Sequence, residues 1–97
     1  MTKPEISRLQ AVIEGRVQGV GFRAFAQRTA VLLDLTGWVR NRWNSTVEVV
    51  AEGPRPDLER FLKSLQRGPR VGTTREVKYD WQVATGEFSS FRVRMTG

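Results

Sequence analysis

The stretch GRVQGVGFRAF, residues 15–25, marks the point where one hydrophobic pattern gives way to another. Before it, apolar and polar residues alternate along Leu9–Arg16, which predicts a β-strand. From Phe22 onwards apolar side chains recur every three to four residues, which predicts an α-helix that ends near Asp34. The side chains on that helical face are Phe22, Phe25, Ala26, Ala30 and Leu33. The glycine-rich segment is therefore predicted to be a strand-to-helix turn.

Turns of this kind can bind a small anion, because the backbone N–H groups of Val17–Gly21 and of the first helical turn can point at one site. Arg23 lies in that turn, and its guanidinium can donate two parallel hydrogen bonds to a phosphate. The segment is not a P-loop, because the required lysine and hydroxyl are absent. Residues 19–24 fit a loose dinucleotide pattern, but that pattern needs a parallel βαβ unit and an acid in the region where Asn41 stands. An anion-binding turn and a purely structural turn both remain open on these residues alone.

Downstream, the pattern predicts a β-hairpin, a second helix and two further strands. The predicted segments are strands 38–43 and 46–52, a helix from residue 58 that Gly68-Pro69 closes, and strands 77–83 and 91–95. The two hairpin strands are separated by Asn44-Ser45, which predicts a two-residue turn.

This order of elements predicts an α+β fold, the ferredoxin-like split βαβ arrangement. It consists of an antiparallel sheet of four to five strands with two helices on one face. Residues 8–97 are expected to form a single domain, and residues 1–7 a flexible tail.

The composition excludes several classes of chemistry. The chain has neither histidine nor cysteine, which rules out Ser-His-Asp and Cys-His nucleophiles and ordinary zinc sites. The net charge is +6, with 13 arginines against three lysines, so the surface should attract anions. No apolar run is long enough to span a membrane, and the first ten residues lack the apolar core of a signal peptide. We therefore expect a cytoplasmic protein that does not bind membranes.

An RNA-binding module is the alternative from another functional class, because the RNA-recognition fold shares the split βαβ order. Trp38, Trp43 and Trp81 could offer surfaces for base stacking. The segment GFRAFA at 21–26 matches the RNA-recognition signature only weakly, and it falls on the predicted helix rather than on a strand.

Two segments taken together resemble one family. GRVQGVGFR at 15–23 and GWVRNRWNSTVEVVAEG at 37–53 are similar to the paired signatures of acylphosphatases. LERFLKSLQRGP at 58–69 and FSSFRVR at 88–94 are also similar to that family's pattern, so the resemblance covers nearly the whole chain. One departure is Ser45, which stands where the family usually has glycine in the hairpin.

The resemblance implies the fold already predicted and the hydrolysis of small acyl phosphates to a carboxylate and inorganic phosphate. It implies that Arg23 binds the phosphate and that Asn41 positions the attacking water. It also implies that the backbone of the glycine loop forms a phosphate-binding cradle. The residues of that cradle are Val17, Gln18, Gly19, Val20, Gly21 and Phe22.

The same resemblance implies an enzyme that uses no metal and no cofactor. We expect a monomer whose partners are small acyl phosphates and inorganic phosphate, and we do not expect nucleic acid to bind. The alternative from the other class is an RNA- or anion-binding module that keeps the fold without catalysis.

Overall fold

The structure is a computed structural model and describes residues 5–97. It contains five strands and two helices in the predicted order. Their bounds are β1 Ile6–Arg16, α1 Phe22–Leu32, β2 Thr36–Asn41, β3 Val47–Pro54, α2 Arg55–Arg67, β4 Thr73–Val83 and β5 Phe91–Val93. Neither helix in this part of the chain is long and apolar enough to cross a membrane.

All five strands belong to one sheet with the order β4-β1-β3-β2-β5, and the two helices pack on it. This confirms the ferredoxin-like arrangement. The prediction of a purely antiparallel sheet was wrong for the last strand, because β5 pairs parallel with β2. Strand β4 ends at the end of the sheet where β2 begins, and residues 84–90 cross that end to the opposite edge. β5 therefore starts beside the start of β2 and runs parallel to it.

The core lies between the sheet and the helices. Alternate strand residues such as Leu9, Ile13 and Val49 are fully buried there, as the alternation predicts. Leu58 and Phe61 of α2 face them and are also fully buried. Each such side chain stabilises the fold by about 1.5–3 kcal/mol relative to an exposed one.

The two helices begin differently. Helix α2 has a proline and Asp57 in its first turn and Arg67 in its last, so its charges match the helix dipole. Helix α1 begins after Gly21, which is left-handed, and has neither a side-chain cap nor an acidic residue in its first turn. The positive end of α1 is therefore left uncompensated by the protein.

The hairpin between β2 and β3 differs from the prediction. The Arg42 N–H donates to Thr46 O at 2.9 Å, so three residues rather than two form the loop. Ser45 has a φ of 71°, as expected when the third residue of such a loop is left-handed. The Asn44 side chain also stabilises this loop, because its Oδ1 accepts a hydrogen bond from the Thr46 hydroxyl at 2.6 Å. Trp43, predicted to lie in a strand, is 83% exposed in this loop.

Element ends differ at several other places, among them the start of α2, which is Arg55 rather than residue 58. Residues 1–4 of the predicted tail lie outside the described residues, but Ile6 and Ser7 belong to β1 and pair with Pro54 and Gly53. Strand β4 begins at Thr73, because its polar first residues pair with the end of β1 without any apolar alternation. Strand β5 ends at Val93, two residues before the predicted Met95.

The face of the sheet opposite the helices carries a buried carboxylate, that of Glu52 on β3, which is 3% exposed. It accepts hydrogen bonds from Arg8 Nε at 2.7 Å and from the N–H groups of Thr85 at 2.9 Å and Gly86 at 3.0 Å. Burial alone would raise the pKa of Glu52, but these hydrogen bonds hold it below its ordinary value. Glu52 thereby fixes the start of the connection between β4 and β5.

Candidate active site

The glycine loop joins β1 to α1 and adopts the backbone conformation that its glycines permit. Gly19 has a φ of 72° and Gly21 a φ of 78°. A Cβ atom added at either position would meet nothing within 4 Å, so conformation rather than crowding requires glycine there. The left-handed Gly21 turns the chain directly into α1.

The N-terminus of α1 presents backbone donors to this loop. The first helical bond is from Phe25 N–H to Gly21 O at 3.0 Å. The N–H groups of Phe22, Arg23 and Ala24 precede it, and such groups have no acceptor within a helix. Since no side chain caps this end, the donors and the helix dipole together favour an anion.

A cavity of about 290 Å³ lies beside these donors and brings together Arg23 and Asn41. Arg23 comes from the first turn of α1, whereas Asn41 is the last residue of β2. Val39 of β2 is buried towards the helices, and Asn41, two residues further along, shares that face of the strand. The full lining is Val17, Gly19, Gly21, Phe22, Arg23, Ala24, Gln27, Asn41 and Val93.

Two of the predicted cradle residues do not line this cavity. The Gln18 side chain turns the other way, and its Nε2 donates to Arg42 O at 2.8 Å and to Thr46 O at 2.9 Å. Both hydrogens of that amide are thus used to attach the glycine loop to the β2–β3 hairpin. Val20 packs on the opposite side of the loop, against Gly72. Gln18 is therefore in a position to hold the loop at a fixed distance from Asn41.

The structure adds three lining residues that the sequence analysis missed, Ala24, Gln27 and Val93. Gln27 is four residues after Arg23, so helical periodicity could have placed both on one face of α1. Its Nε2 donates to Phe91 O at 3.2 Å, which connects α1 to β5. No sequence pattern indicated Val93, because it reaches the cavity only through the parallel pairing of β5.

The backbone beyond β5 also secures Asn41. The Arg94 N–H donates to Val39 O at 2.8 Å, and the Gly97 N–H donates to Asn41 O at 3.0 Å. The Asn41 main chain is thus held from both sides, by β3 through its pairing with Val47 and by the segment after β5. Its amide side chain is left to face the cavity.

The charge of the cavity is positive. Its lining includes no carboxylate, and Arg23 forms no ion pair within residues 5–97. Glu14, near the end of β1, lies 3.8 Å from Lys78 instead. Across the described part of the chain, no three histidine, cysteine, aspartate or glutamate side chains are grouped so as to hold a metal ion.

The three tryptophans that could offer surfaces for base stacking differ in how far their rings are exposed. Trp38 is covered by the guanidinium groups of Arg40 and Arg94, at 5.1 Å and 4.6 Å from its ring centre. Arg55 lies 3.5 Å from the ring centre of Trp81. Trp43 alone of the three is mostly exposed, at the tip of the hairpin loop.

Comparison with known proteins gives a consistent result. The family model described as Acylphosphatase matches residues 9–93. An acylphosphatase of Salinibacter ruber is 48% identical over 87 residues, which cover 90% of this chain and 92% of that protein. The crystal structure of acylphosphatase from Bacillus subtilis superimposes with a TM-score of 0.87 at 32% identity, covering 91% of this chain and 98% of that one. An acylphosphatase structure from Coxiella burnetii gives a TM-score of 0.88 at 33% identity, covering 97% and 100%.

Proposed function

Because this chain belongs to the acylphosphatase family and is a hydrolase of that kind, we propose that its chemistry takes place in the cavity between the glycine loop, α1 and β2. The substrate class is that of small acyl phosphates, and the products are a carboxylate and inorganic phosphate. The observation that carries this proposal is that Arg23 and Asn41, from different elements, line one cavity with Gly19 and Gly21.

The cradle and Arg23 bind the phosphate. The N–H groups of residues 17–22 and of the α1 first turn donate to the phosphate oxygens, and the Arg23 guanidinium adds two parallel charge-assisted hydrogen bonds. Phosphoryl transfer needs mainly positioning and charge stabilisation of this kind, since charge spreads over the equatorial oxygens in the transition state.

Asn41 positions the nucleophile. Its amide both donates and accepts hydrogen bonds, so it can hold a water in line with phosphorus without acting as a base. The water oxygen forms the new P–O bond as the bond between phosphorus and the carboxyl oxygen breaks, and the carboxylate leaves with the electron pair. The water proton passes to a phosphate oxygen of the substrate. Because the leaving carboxylate is stable as an anion, no general acid is required.

The rest of the proposal concerns cofactors, assembly and location. The reaction requires no metal, because the guanidinium and the N–H groups supply the positive charge. We propose a monomer, since one chain contributes both Arg23 and Asn41. We also propose one acylphosphatase-like domain over residues 8–97 together with Ile6 and Ser7, which belong to β1, since the five strands form one sheet. A cytoplasmic location fits a chain that has no cysteine.

The test is release of inorganic phosphate from acetyl phosphate or benzoyl phosphate by the purified protein. Wild type should release phosphate well above the spontaneous rate, and folded Arg23→Ala and Asn41→Ala should each lose most of that activity. Equal activity in wild type and both variants would show that the reaction does not take place in this cavity. The non-catalytic RNA-binding alternative is not favoured, since Trp38 and Trp81 are covered by arginines.

A further inference from the structure

A second cavity, of about 590 Å³, lies next to the first and shares Gly21 and Ala24 with it. It lies on the α2 side of the α1 N-terminus, because its remaining walls come from Val20 of the glycine loop, α1, the end of α2 and the turn after α2. Asn41 lies on the other side, where β2 and β5 form the wall of the first cavity. The α1 N-terminus therefore separates the proposed water position from the second cavity.

Three arginines line this second cavity, and no acidic residue does. Arg28 comes from α1, Arg67 from the last turn of α2 and Arg70 from the turn that follows. None of the three pairs with a carboxylate among residues 5–97. The positive charge of Arg67 has a structural explanation, since it complements the dipole at the end of α2. The fold gives no such reason for Arg28 or Arg70.

The cavity also has an apolar part that is attached to the glycine loop. Val20, Phe25 and Val71 contribute to its lining. Gly72, just beyond it, approaches the loop so closely that a Cβ there would lie 2.6 Å from Arg16 O and 2.7 Å from Val20 Cγ2. The turn that carries Arg70 is thus packed directly against the glycine loop.

In-line attack places the leaving group opposite the nucleophile. With the water held by Asn41 on the β2 side, the second cavity lies on the opposite side of the α1 N-terminus, the side on which in-line attack places the acyl group. Resting on the proposed function, we propose that the second cavity receives the acyl group. Its arginines then select acyl phosphates whose acyl group carries a second anionic group at its far end. The apolar lining contacts the methylene chain between the two ends.

Matched substrates test this selection. Succinyl phosphate ends in a carboxylate, butyryl phosphate has a methyl group in its place, and 3-phosphonopropanoyl phosphate ends in a phosphonate. In wild type, kcat/KM should be higher for succinyl than for butyryl phosphate, and added NaCl should reduce the ratio because salt screens exposed charges. The phosphonate substrate distinguishes which anion the arginines prefer.

The double variant Arg67→Ala/Arg70→Ala should lower the succinyl-to-butyryl ratio by about three- to tenfold, as expected for loss of two exposed ion pairs. The control Arg75→Ala/Arg92→Ala removes the same charge from exposed positions outside both cavities and should leave the ratio unchanged. If the double variant is unfolded by circular dichroism, Arg28→Ala on α1 provides the same test.

An equal ratio in wild type and in the folded double variant, or an equal fall in the control, would overturn the inference. In either case hydrolysis of butyryl phosphate by wild type shows that the proposed function itself stands. Failure of wild type to hydrolyse any of the three substrates would instead contradict the proposed function, and the inference with it.

Discussion

Substitutions of Arg23 and of Asn41 should have different effects on catalysis and phosphate binding, because Arg23 contacts the phosphate and Asn41 contacts the water. Asn41→Ala removes a single amide from the cavity, while the backbone bonds to Gly97 and the pairing with Val47 do not depend on the side chain. We expect kcat to fall by about 10²–10³, which is the loss of about 2.7–4 kcal/mol typical of one preorganised polar group. Affinity for inorganic phosphate should change little, because the cradle remains intact.

Arg23→Ala should weaken phosphate binding as well as turnover. The guanidinium holds phosphate in both the ground state and the transition state. Losing two charge-assisted hydrogen bonds of about 1.5–3 kcal/mol each should weaken phosphate affinity by at least about 10²-fold. Arg23→Lys should restore little, because an ammonium group cannot reproduce the planar pair of donors. Arg75→Ala, an exposed arginine outside the cavity, is the matched control.

The assays are steady-state phosphate release from acetyl phosphate and the inhibition constant of inorganic phosphate, after circular dichroism and melting have shown that each variant is folded. The division of roles is refuted if Asn41→Ala keeps near-normal kcat but loses phosphate affinity. Full activity in both variants would refute the assignment of this cavity as the active site.

Four further outcomes are expected. Inorganic phosphate should compete with acetyl phosphate for the cradle, and purely noncompetitive inhibition would mean that it binds elsewhere. Activity should survive EDTA, whereas loss on chelation and recovery with a divalent ion would contradict the metal-free mechanism. Ser45→Gly should stabilise the fold by about 0.5–1 kcal/mol, because Ser45 has a φ of 71°; an unchanged or lower melting temperature would show that serine is not strained there. Hydrogen bonds from Arg8 and from the Thr85 hydroxyl lower the pKa of Glu87, as the bonds described above lower that of Glu52. The contribution of both groups to stability is therefore complete above the ordinary glutamate pKa of about 4.3 and is lost as pH falls through the folded values. Melting temperature between pH 7 and pH 3 should therefore fall more steeply for wild type than for Glu52→Gln, and equal slopes would show that Glu52 does not link pH to stability.

The sequence predicted the parts of the fold that depend on local periodicity. Both helices, the order of strands and helices along the chain and the transition at residues 15–25 follow from alternating or helical spacing of apolar residues. The resemblance to acylphosphatases added Arg23 and Asn41 as a pair, and the structure places both at one cavity. Neither residue could have been paired with the other by periodicity alone, because they lie on different elements.

Features that depend on distant parts of the chain were not predictable. The parallel pairing of β5 joins Gly37 to Phe91, and nothing in either segment encodes that direction. The two bonds of Gln18 to the hairpin likewise depend on where β2 and β3 lie relative to the glycine loop. The predicted hairpin loop was one residue too short because tryptophan is typical of strands, whereas the backbone of Trp43 belongs to the loop.

The late position of β5 in the chain has a consequence for the order of folding. The β5–β2 pairing spans more than half of the chain, so it carries a large loop-closure entropy that only three residue pairs offset. The β1–β4 pairing spans a longer stretch, but ten residue pairs offset its cost. The β2–β3 hairpin and α1, by contrast, form through contacts between near neighbours. We therefore expect β5 to dock after the rest of the sheet, when the connection held by Glu52 is in place. Since Val93 lines the cavity and the Gly97 N–H bonds to Asn41 O, a refolding molecule should regain its secondary structure before it regains a competent site.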